Sequence, residues 1–303
     1  MGLLDGKVAI VTGAGRGIGR GEAVLLASHG ASVVVNDVGG EWDGTGADDR
    51  PATQVVEEIT EAGGRAVANG DDVADWEGAQ RLIQTAIDTF GDLHILVNNA
   101  GILRDGMSFN LDEEAWDSVI RVHLKGHFAP SHHAARYWRE QSKAGVEVPR
   151  RIINTTSESG LFGNAGQANY SAAKAGIASL SIVLSRELAK YGVTVNCVAP
   201  RARTRMTAGT FGGFDEPGDD TFDEWSPDNI APTVGFLASD EAGDITGQVF
   251  VVWADRVHLM TGWSPVHTAE GDGKRWTVEG LVAQKSEMFA DRDRGSPPMG
   301  FGL

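Results

Sequence analysis

Tyr170 and Lys174 stand four residues apart, and Ser157 lies thirteen residues before the tyrosine. On a helix that spacing puts the phenol and the ammonium on one face, a turn apart. A free phenol titrates near about 10 and a free lysine near about 10.4. Beside a fixed ammonium the phenolate is favoured, so the tyrosine pKa is expected to fall. A drop of about three units, enough to carry protons near neutrality, needs about 4 kcal/mol. One ammonium falls short of that; a second positive charge, such as an oxidised nicotinamide ring, makes up the difference. Ser157 then supplies a hydroxyl that hydrogen-bonds the same substrate oxygen. A Tyr-x-x-x-Lys pair by itself is a common surface pattern, so its meaning rests on what surrounds it.

The surroundings begin at the first strand. Val8-Ala9-Ile10-Val11 is a short β-branched run of the kind buried in parallel sheets. Thr12-Gly13-Ala14-Gly15-Arg16-Gly17-Ile18-Gly19 follows, then a helical pattern to His29 that Gly30 ends. Strand, glycine turn and helix in that order suit a pyrophosphate: glycines let the backbone come close, and the helix start offers N–H donors and a favourable dipole. Ser32 to Val35 is a second strand ending at Asn36-Asp37. An acid there hydrogen-bonds an adenosine ribose and repels a 2′-phosphate, which favours NAD over NADP. Arg16 could serve that phosphate, but a solvated surface charge is the plainer reading. Arg65 to Asn69 is a third strand, with Asp72 and Val73 placed for an adenine amino group or, equally, for a helix start beside Asp75. His94 to Val97 is a fourth, running into Asn98-Asn99-Ala100-Gly101 at a strand end, where open α/β sheets bind ligands.

The second half continues the alternation. Leu111 to about Lys143 reads as one long helix containing His123, either a site residue or a packed histidine. His132 and His133 are adjacent, so they face different ways and make poor joint metal ligands; no Cys/His cluster has zinc spacing. Arg151 to Thr155, Thr194 to Val198 and Gly247 to Trp253 complete about seven strands. The small residues Ser171, Ala172, Ala173, Ala175, Gly176, Ala178 and Ser179 suit either a dimer interface or close packing on the sheet. Arg201, Arg203 and Arg205 put three positive charges in one loop, for CoA phosphates or for neighbouring carboxylates. Thr207 to Pro227, with Phe211, Phe214, Phe222 and Trp225, suits a mobile lid over an apolar substrate. Two parts are expected: 1–253 as one nucleotide-binding domain, and 254–303 as an extension packing on it or on a partner subunit.

Composition excludes other classes. The formal net charge of −16 opposes nucleic acid and an anionic membrane surface. The single cysteine, Cys197, allows no internal disulfide and fits a reducing compartment. No apolar run approaches a membrane span. The N-terminus carries no secretory signal, and Gly300-Phe301-Gly302-Leu303 is not a peroxisomal tripeptide, so a cytoplasmic enzyme is expected.

Taken together, Thr12-Gly13-x-x-x-Gly17-x-Gly19, Asn98-Asn99-Ala100-Gly101, Ser157 and Tyr170-x-x-x-Lys174 resemble the short-chain dehydrogenase/reductases, over residues about 5 to 252. Val35-Asn36-Asp37-Val38-Gly39-Gly40, Arg121-Val122-His123-Leu124 and the stretch Gly163 to Lys174 are more narrowly similar to the (3R)-hydroxyacyl-CoA dehydrogenase part of peroxisomal multifunctional enzymes. The resemblance implies a Rossmann-type doubly wound parallel sheet, NAD, a homodimer or homotetramer and an acyl-CoA substrate. It also implies a nicotinamide contact at Thr204, just past Pro200. Most of the wider family has asparagine at the place of His123, in a proton relay through water to the lysine; the narrower group shares the histidine. Arg201 replaces the glycine usual after Pro200.

The expected reaction is hydride transfer between NAD and a 3-hydroxyacyl-CoA, with Ser157, Tyr170 and Lys174 as catalytic residues and His123 beside them. A hydroxysteroid dehydrogenase or a 3-oxoacyl carrier-protein reductase would share the motifs. A dinucleotide-sensing protein without turnover is the alternative from another class.

Overall fold

The computed structural model describes residues 2–46, 48–206, 221–271, 273–290 and 295. Strands β1 (Val8–Thr12), β2 (Ser32–Asn36), β3 (Arg65–Asn69), β4 (Ile95–Asn98), β5 (Arg150–Thr155), β6 (Val193–Arg201) and β7 (Val249–Trp253) form the parallel part of one sheet. The order is β3-β2-β1-β4-β5-β6-β7-β8. It reverses between β1 and β4, so the crevice of the doubly wound fold opens at the carboxyl ends of those two strands. Every residue of β1, β2 and β5 is buried. That is why the apolar stretches Val8–Val11 of β1 and Val33–Val35 of β2 run unbroken rather than alternate.

Helices cover both faces. Ile10, Val34, Leu96 and Ile152 join one core layer with Leu82 of α3 (Trp76–Phe90), Trp138 of α5 (Gly126–Lys143) and Leu184 of α7 (Ala168–Leu188). Ala9, Val33, Val97 and Ile153 point the other way. They meet Leu26 of α1 (Gly17–Ser28), Ile59 of α2 (Arg50–Glu61) and Val234 of a later helix, Ala231–Ala238 (α8). Alternate residues of one strand thus feed two cores.

Four features depart from the sequence reading. An eighth strand, β8 (Arg256–Leu259), pairs antiparallel with β7, so the boundary expected at 253 falls inside a tight hairpin. The long helix is two, α4 (Glu113–Ile120) and α5, joined by a π-helical turn over Arg121–Lys125. A short helix, α6 (Glu158–Phe162), follows Ser157, one that the sequence reading did not include. Beyond β8 lies α9 (Val278–Phe289), of which no residue is buried. Positions 207–220 of the expected lid lie outside the described residues. No described helix is long and apolar enough to cross a membrane.

Candidate active site

The end of β5 sets the position of the lysine. Lys174 is buried, and its Nζ donates to the Thr155 carbonyl at 2.6 Å. The Thr156 hydroxyl donates to the Lys174 carbonyl at 2.7 Å. Strand end and helix α7 are therefore bolted together at the residue that carries the charge. Ser157 leaves β5 in extended conformation and caps α6, its Oγ accepting from the Ser159 N–H at 3.2 Å. One turn before Lys174 on α7, the Tyr170 ring centre lies 5.6 Å from Nζ. The start of α7 is fixed by Asn169, whose Nδ2 donates to the carbonyls of Arg104 (2.9 Å) and Ala115 (3.0 Å).

The electrostatics differ from the sequence expectation. In the protein alone the Tyr170 phenol is pushed up to about 12, mainly by burial. A hydrogen bond with Ser157 pulls it down, and the Asp105 carboxylate adds to the rise. The ammonium cannot reverse this because burial also takes Lys174 down to about 7, so its charge is only partly present near neutrality. A lowered tyrosine pKa therefore needs a further positive charge in the cleft.

His123 sits in the π turn, 1% exposed. Its Nε2 lies 2.7 Å from the Ile102 carbonyl and 3.1 Å from the Ile102 N–H. The shorter contact makes Nε2 the protonated nitrogen. Its ring stands edge-on to Tyr170, with centroids 5.1 Å apart. Burial and the Lys174 charge hold the imidazole well below its usual pKa, so it is neutral. Gly101 is required beside it: a Cβ there would lie 2.3 Å from His123 Cε1.

A cleft of about 650 Å3 runs from this wall to the glycine turn. It is lined by Ser157, Tyr170, Lys174 and His123 and by all the positions expected to hold a dinucleotide. These are Gly13, Arg16, Gly17, Ile18, Gly19, Asp37, Asp72, Val73, Asn99, Ala100, Gly101, Pro200 and Thr204. Gly13 has φ +63° and passes so near Ala100 that a Cβ would come within 2.8 Å of its Cα. A Cβ on Gly19 would lie 2.4 Å from the Gly13 carbonyl oxygen. Asn99 ties β4 to that turn, its Nδ2 donating to the Thr12 (3.0 Å) and Gly13 (3.2 Å) carbonyls. No side chain caps α1 and no acid stands in its first turn, so its N–H groups and positive dipole end are open to an anion.

Asp37 accepts the Gly15 N–H at 2.8 Å on one oxygen and the Gly39 N–H at 2.6 Å on the other. A carboxylate has about four acceptor sites, which leaves two for ribose hydroxyls. Asp72 accepts from the Ala74 N–H and pairs with Arg121, while Asp75 caps α3. Close glycines, an open helix start and an acid at the second strand end together fit a dinucleotide.

The three arginines are paired. Arg201 meets Glu158 through two hydrogen bonds, 2.8 and 2.7 Å; Arg203 meets Asp223; Arg205 meets Glu41 at 3.1 Å. These are the neighbouring carboxylates that one of the two sequence readings expected. The last pair ties the loop that follows β2 to the segment that follows β6. Gly40, Glu41, Gly44 and Gly46 of the loop after β2 line the cleft, and the loop is held by Leu103 N–H to the Trp42 carbonyl (3.0 Å) and Arg104 Nε to the Asp43 carbonyl (3.1 Å). Glu41, Gly44, Arg121, Asn164 and Gln167 also line the cleft and were not foreseen, whereas Trp225, expected to cover the substrate, lines it too. Arg121 falls in the quoted run Arg121-Val122-His123-Leu124, and Gln167 three residues before Tyr170, so proximity in sequence was the available signal. On α7, Ala173 is buried and Gly176 packs under Leu124, whereas Ala172, Ala175 and Ser179 are exposed. His132 and His133 both stack on Trp76.

The family model described as short chain dehydrogenase matches residues 7–211, which span β1 to the end of β6 and every catalytic candidate. The chain belongs to the short-chain dehydrogenase family. As a short-chain dehydrogenase it is an oxidoreductase. It is 46% identical over 299 residues to the hydroxyacyl-CoA dehydrogenase ChsB1 of Mycobacterium tuberculosis, covering 96% of this chain and 90% of that one. It is 44% identical over 260 residues to peroxisomal multifunctional enzyme type 2 of Drosophila melanogaster, covering 85% of this chain and 41% of that longer protein. A crystal structure of a short chain dehydrogenase from Mycobacterium avium superposes with a TM-score of 0.87 at 49% identity, covering 100% of both chains.

Proposed function

We propose that this short-chain dehydrogenase oxidises a 3-hydroxyacyl-CoA to the 3-oxoacyl-CoA, with NAD as the oxidant. The observation that carries the reading is the meeting of Ser157, Tyr170 and Lys174 on one wall of the cleft whose other end is the glycine turn. The substrate class follows its hydroxyacyl-CoA dehydrogenase relative, which matches nearly the whole chain.

Glycines 13, 17 and 19 and the start of α1 would hold the pyrophosphate, Asp37 the adenosine ribose, and Thr204 the nicotinamide end. When bound, the dinucleotide accepts the hydride, and its positive ring adds the charge that the phenol needs. Ser157 hydrogen-bonds the substrate oxygen and fixes it. Tyr170, as phenolate, takes the alcohol proton at its own oxygen, and gives it back in the reverse direction. Lys174 stabilises that phenolate. Its three N–H donors leave groups for a ribose hydroxyl after one is spent on Thr155. Neutral His123 packs against the phenol ring and limits its orientation, which assigns it to positioning rather than proton transfer.

We also infer a cytoplasmic homodimer or homotetramer. The exposed face of Ala172, Ala175 and Ser179 and the segment through α9, which buries none of its residues on its own chain, are the surfaces it would use. Light scattering checks the assembly.

Initial rates with NAD and NADP against both enantiomers of several 3-hydroxyacyl-CoAs test the reaction. Turnover with one enantiomer and NAD is expected. Strong NADPH preference would point to a carrier-protein reductase, and tight NAD binding with no turnover across an alcohol panel to a sensing protein.

A further inference from the structure

At the far edge of the sheet stands a row of side chains that the reaction as written does not use. Arg201 closes β6, Trp253 closes β7 and Arg256 opens β8. Arg201 pairs in register with Trp253, and Trp253 with Arg256. Directly paired residues share a face of the sheet, so the three side chains stand in line. They also touch: the guanidinium carbons of Arg201 and Arg256 lie 5.2 and 5.1 Å from the centre of the Trp253 ring. The two-residue turn Ala254-Asp255 sets Arg256 opposite the tryptophan, with Ala254 held at φ +53°, a conformation that favours glycine.

The inner end of the row belongs to the cleft. Arg201 lines it, and so does Trp225, whose ring centre is 5.6 Å from that of Trp253. Arg201 is tied to Glu158, the residue after Ser157. The outer end is Arg256, half exposed. One indole therefore separates an arginine of the cleft from an arginine on its rim.

The row offers donors and no acceptors, since neither arginine nor tryptophan carries an acceptor atom. The Trp253 indole N–H is buried and has no partner. Glu158 meets the charge of Arg201 at 2.7 Å, and Arg203 and Arg205 are taken by Asp223 and Glu41. Arg256 has only Asp255, 3.9 Å away and largely exposed, a contact that water screens. A guanidinium laid on an aromatic face keeps its in-plane N–H fork free, the geometry that matches a phosphate.

We propose that Arg256, steadied on Trp253, docks a phosphate of the coenzyme A moiety of the substrate. This rests on the acyl-CoA reading given above. The alcohol carbon is held at Ser157 and Tyr170 and the thioester lies close by, but the phosphates come at the end of the long pantetheine arm. They need a cation on the rim rather than within the cleft. In a chain of net charge −16 that cation has to be specifically placed. The sequence reading looked for such phosphates at Arg201, Arg203 and Arg205, where carboxylates already stand. Arg256 is thus a specificity-determining residue: it favours a CoA thioester over a thioester that ends before the phosphates.

The test uses the full chain saturated with NAD, so that coenzyme A cannot enter the dinucleotide site. The same 3-hydroxyacyl group is offered as its CoA thioester and as its N-acetylcysteamine thioester, which carries no phosphate. Arg256→Ala should lower the ratio of the two kcat/KM values about fivefold, and Arg256→Glu further. Arg256→Lys, which keeps the charge without the fork, should recover part of the loss. Added salt should lower kcat/KM for the CoA thioester more in the parent than in Arg256→Ala. A ratio unchanged in both the alanine and the glutamate variants overturns the proposal. If the parent oxidises neither thioester, the substrate reading fails and titration with coenzyme A itself decides this site. Binding that Arg256→Glu weakens about fivefold or more upholds it; equal binding by the two proteins, or none by the parent, overturns it.

Discussion

The imidazole of His123 stands edge-on to the ring of Tyr170, 5.1 Å between centroids and 86° between planes. Such T-shaped pairs contribute about 0.5–1.5 kcal/mol beyond area burial. Here the contact also sets direction, because His123 is itself pinned to Ile102 and cannot rotate away. The Tyr170 ring has the His123 ring 5.1 Å and the Lys174 amine 5.6 Å from its centre, with Ser157 acting on its oxygen.

Tyr170→Phe keeps the ring, the edge-on contact and the cleft, and removes only the ionisable oxygen. Turnover should fall on the order of a thousandfold, within the range of general acid–base contributions, while NAD binds as before. Steady-state rates and calorimetric NAD titration measure the two arms. Substantial retained turnover would contradict the proton transfer.

Asp37→Asn keeps an acceptor for one of the Gly15 and Gly39 N–H groups and removes the charge. With the carboxylate gone, a 2′-phosphate is no longer repelled and Arg16, which lines the same cleft, can approach it. The ratio of kcat/KM for NADP to that for NAD should rise about tenfold, equivalent to about 1.4 kcal/mol. An unchanged ratio would show that Asp37 does not choose the dinucleotide.

Lys174 should be a liability for stability. Burial lowers its pKa from 10.5 to about 7. Below about pH 7 both folded and unfolded chains are protonated, and the folded one bears the whole desolvation penalty, roughly 5 kcal/mol. Between about 7 and 10.5 the unfolded chain binds more protons, so stability rises with pH. Lys174→Met removes the penalty and leaves the Thr155 carbonyl unpaired, a cost of about 1–3 kcal/mol. The first effect is larger. The cofactor-free methionine variant should therefore melt higher than the parent at pH 6, with the gap closing towards pH 10, and be inactive throughout. Melting curves of the two proteins across that range check it; a lower melting temperature at pH 6 would show that the lysine is better solvated than its burial implies.

How much of this was legible in the sequence follows from range. The strands β1 to β7, the glycine turn, Asp37 and the Tyr170–Lys174 pair depend on local periodicity and on spacing within one element, which a sequence displays directly. The pairing of Arg205 with Glu41 joins residues 164 apart, and the seating of the loop after β2 depends on Leu103 meeting Trp42. No local signal carries such contacts. The rise of the Tyr170 pKa was missed for a related reason: charge neighbours can be read from spacing, but burial belongs to the tertiary structure. β8 was within reach. Arg256-Val257-His258-Leu259 alternates polar and apolar after a two-residue turn, the period of a half-buried strand.

Gly160 is the point where the serine and the lysine are held in register. It lies in α6, three residues after Ser157, flush against α7. A Cβ there would come within 2.6 Å of both the Ala175 nitrogen and the Lys174 carbonyl carbon. These are helix backbone atoms and cannot swing aside. Gly160→Ala must push α6 off α7, at about 1–3 kcal/mol for overpacking, and separate Ser157 from the Tyr170 hydroxyl. The glycine turn lies at the other end of the cleft and is untouched. The expected outcome is a lower melting temperature and a kcat reduced on the order of tenfold or more, with NAD affinity preserved. Gly166→Ala is the control: its neighbourhood is open, and only its φ of +87° is strained. If Gly160→Ala matched the parent in both melting temperature and kcat, the close seating of α6 on α7 would not be what aligns the serine with the tyrosine.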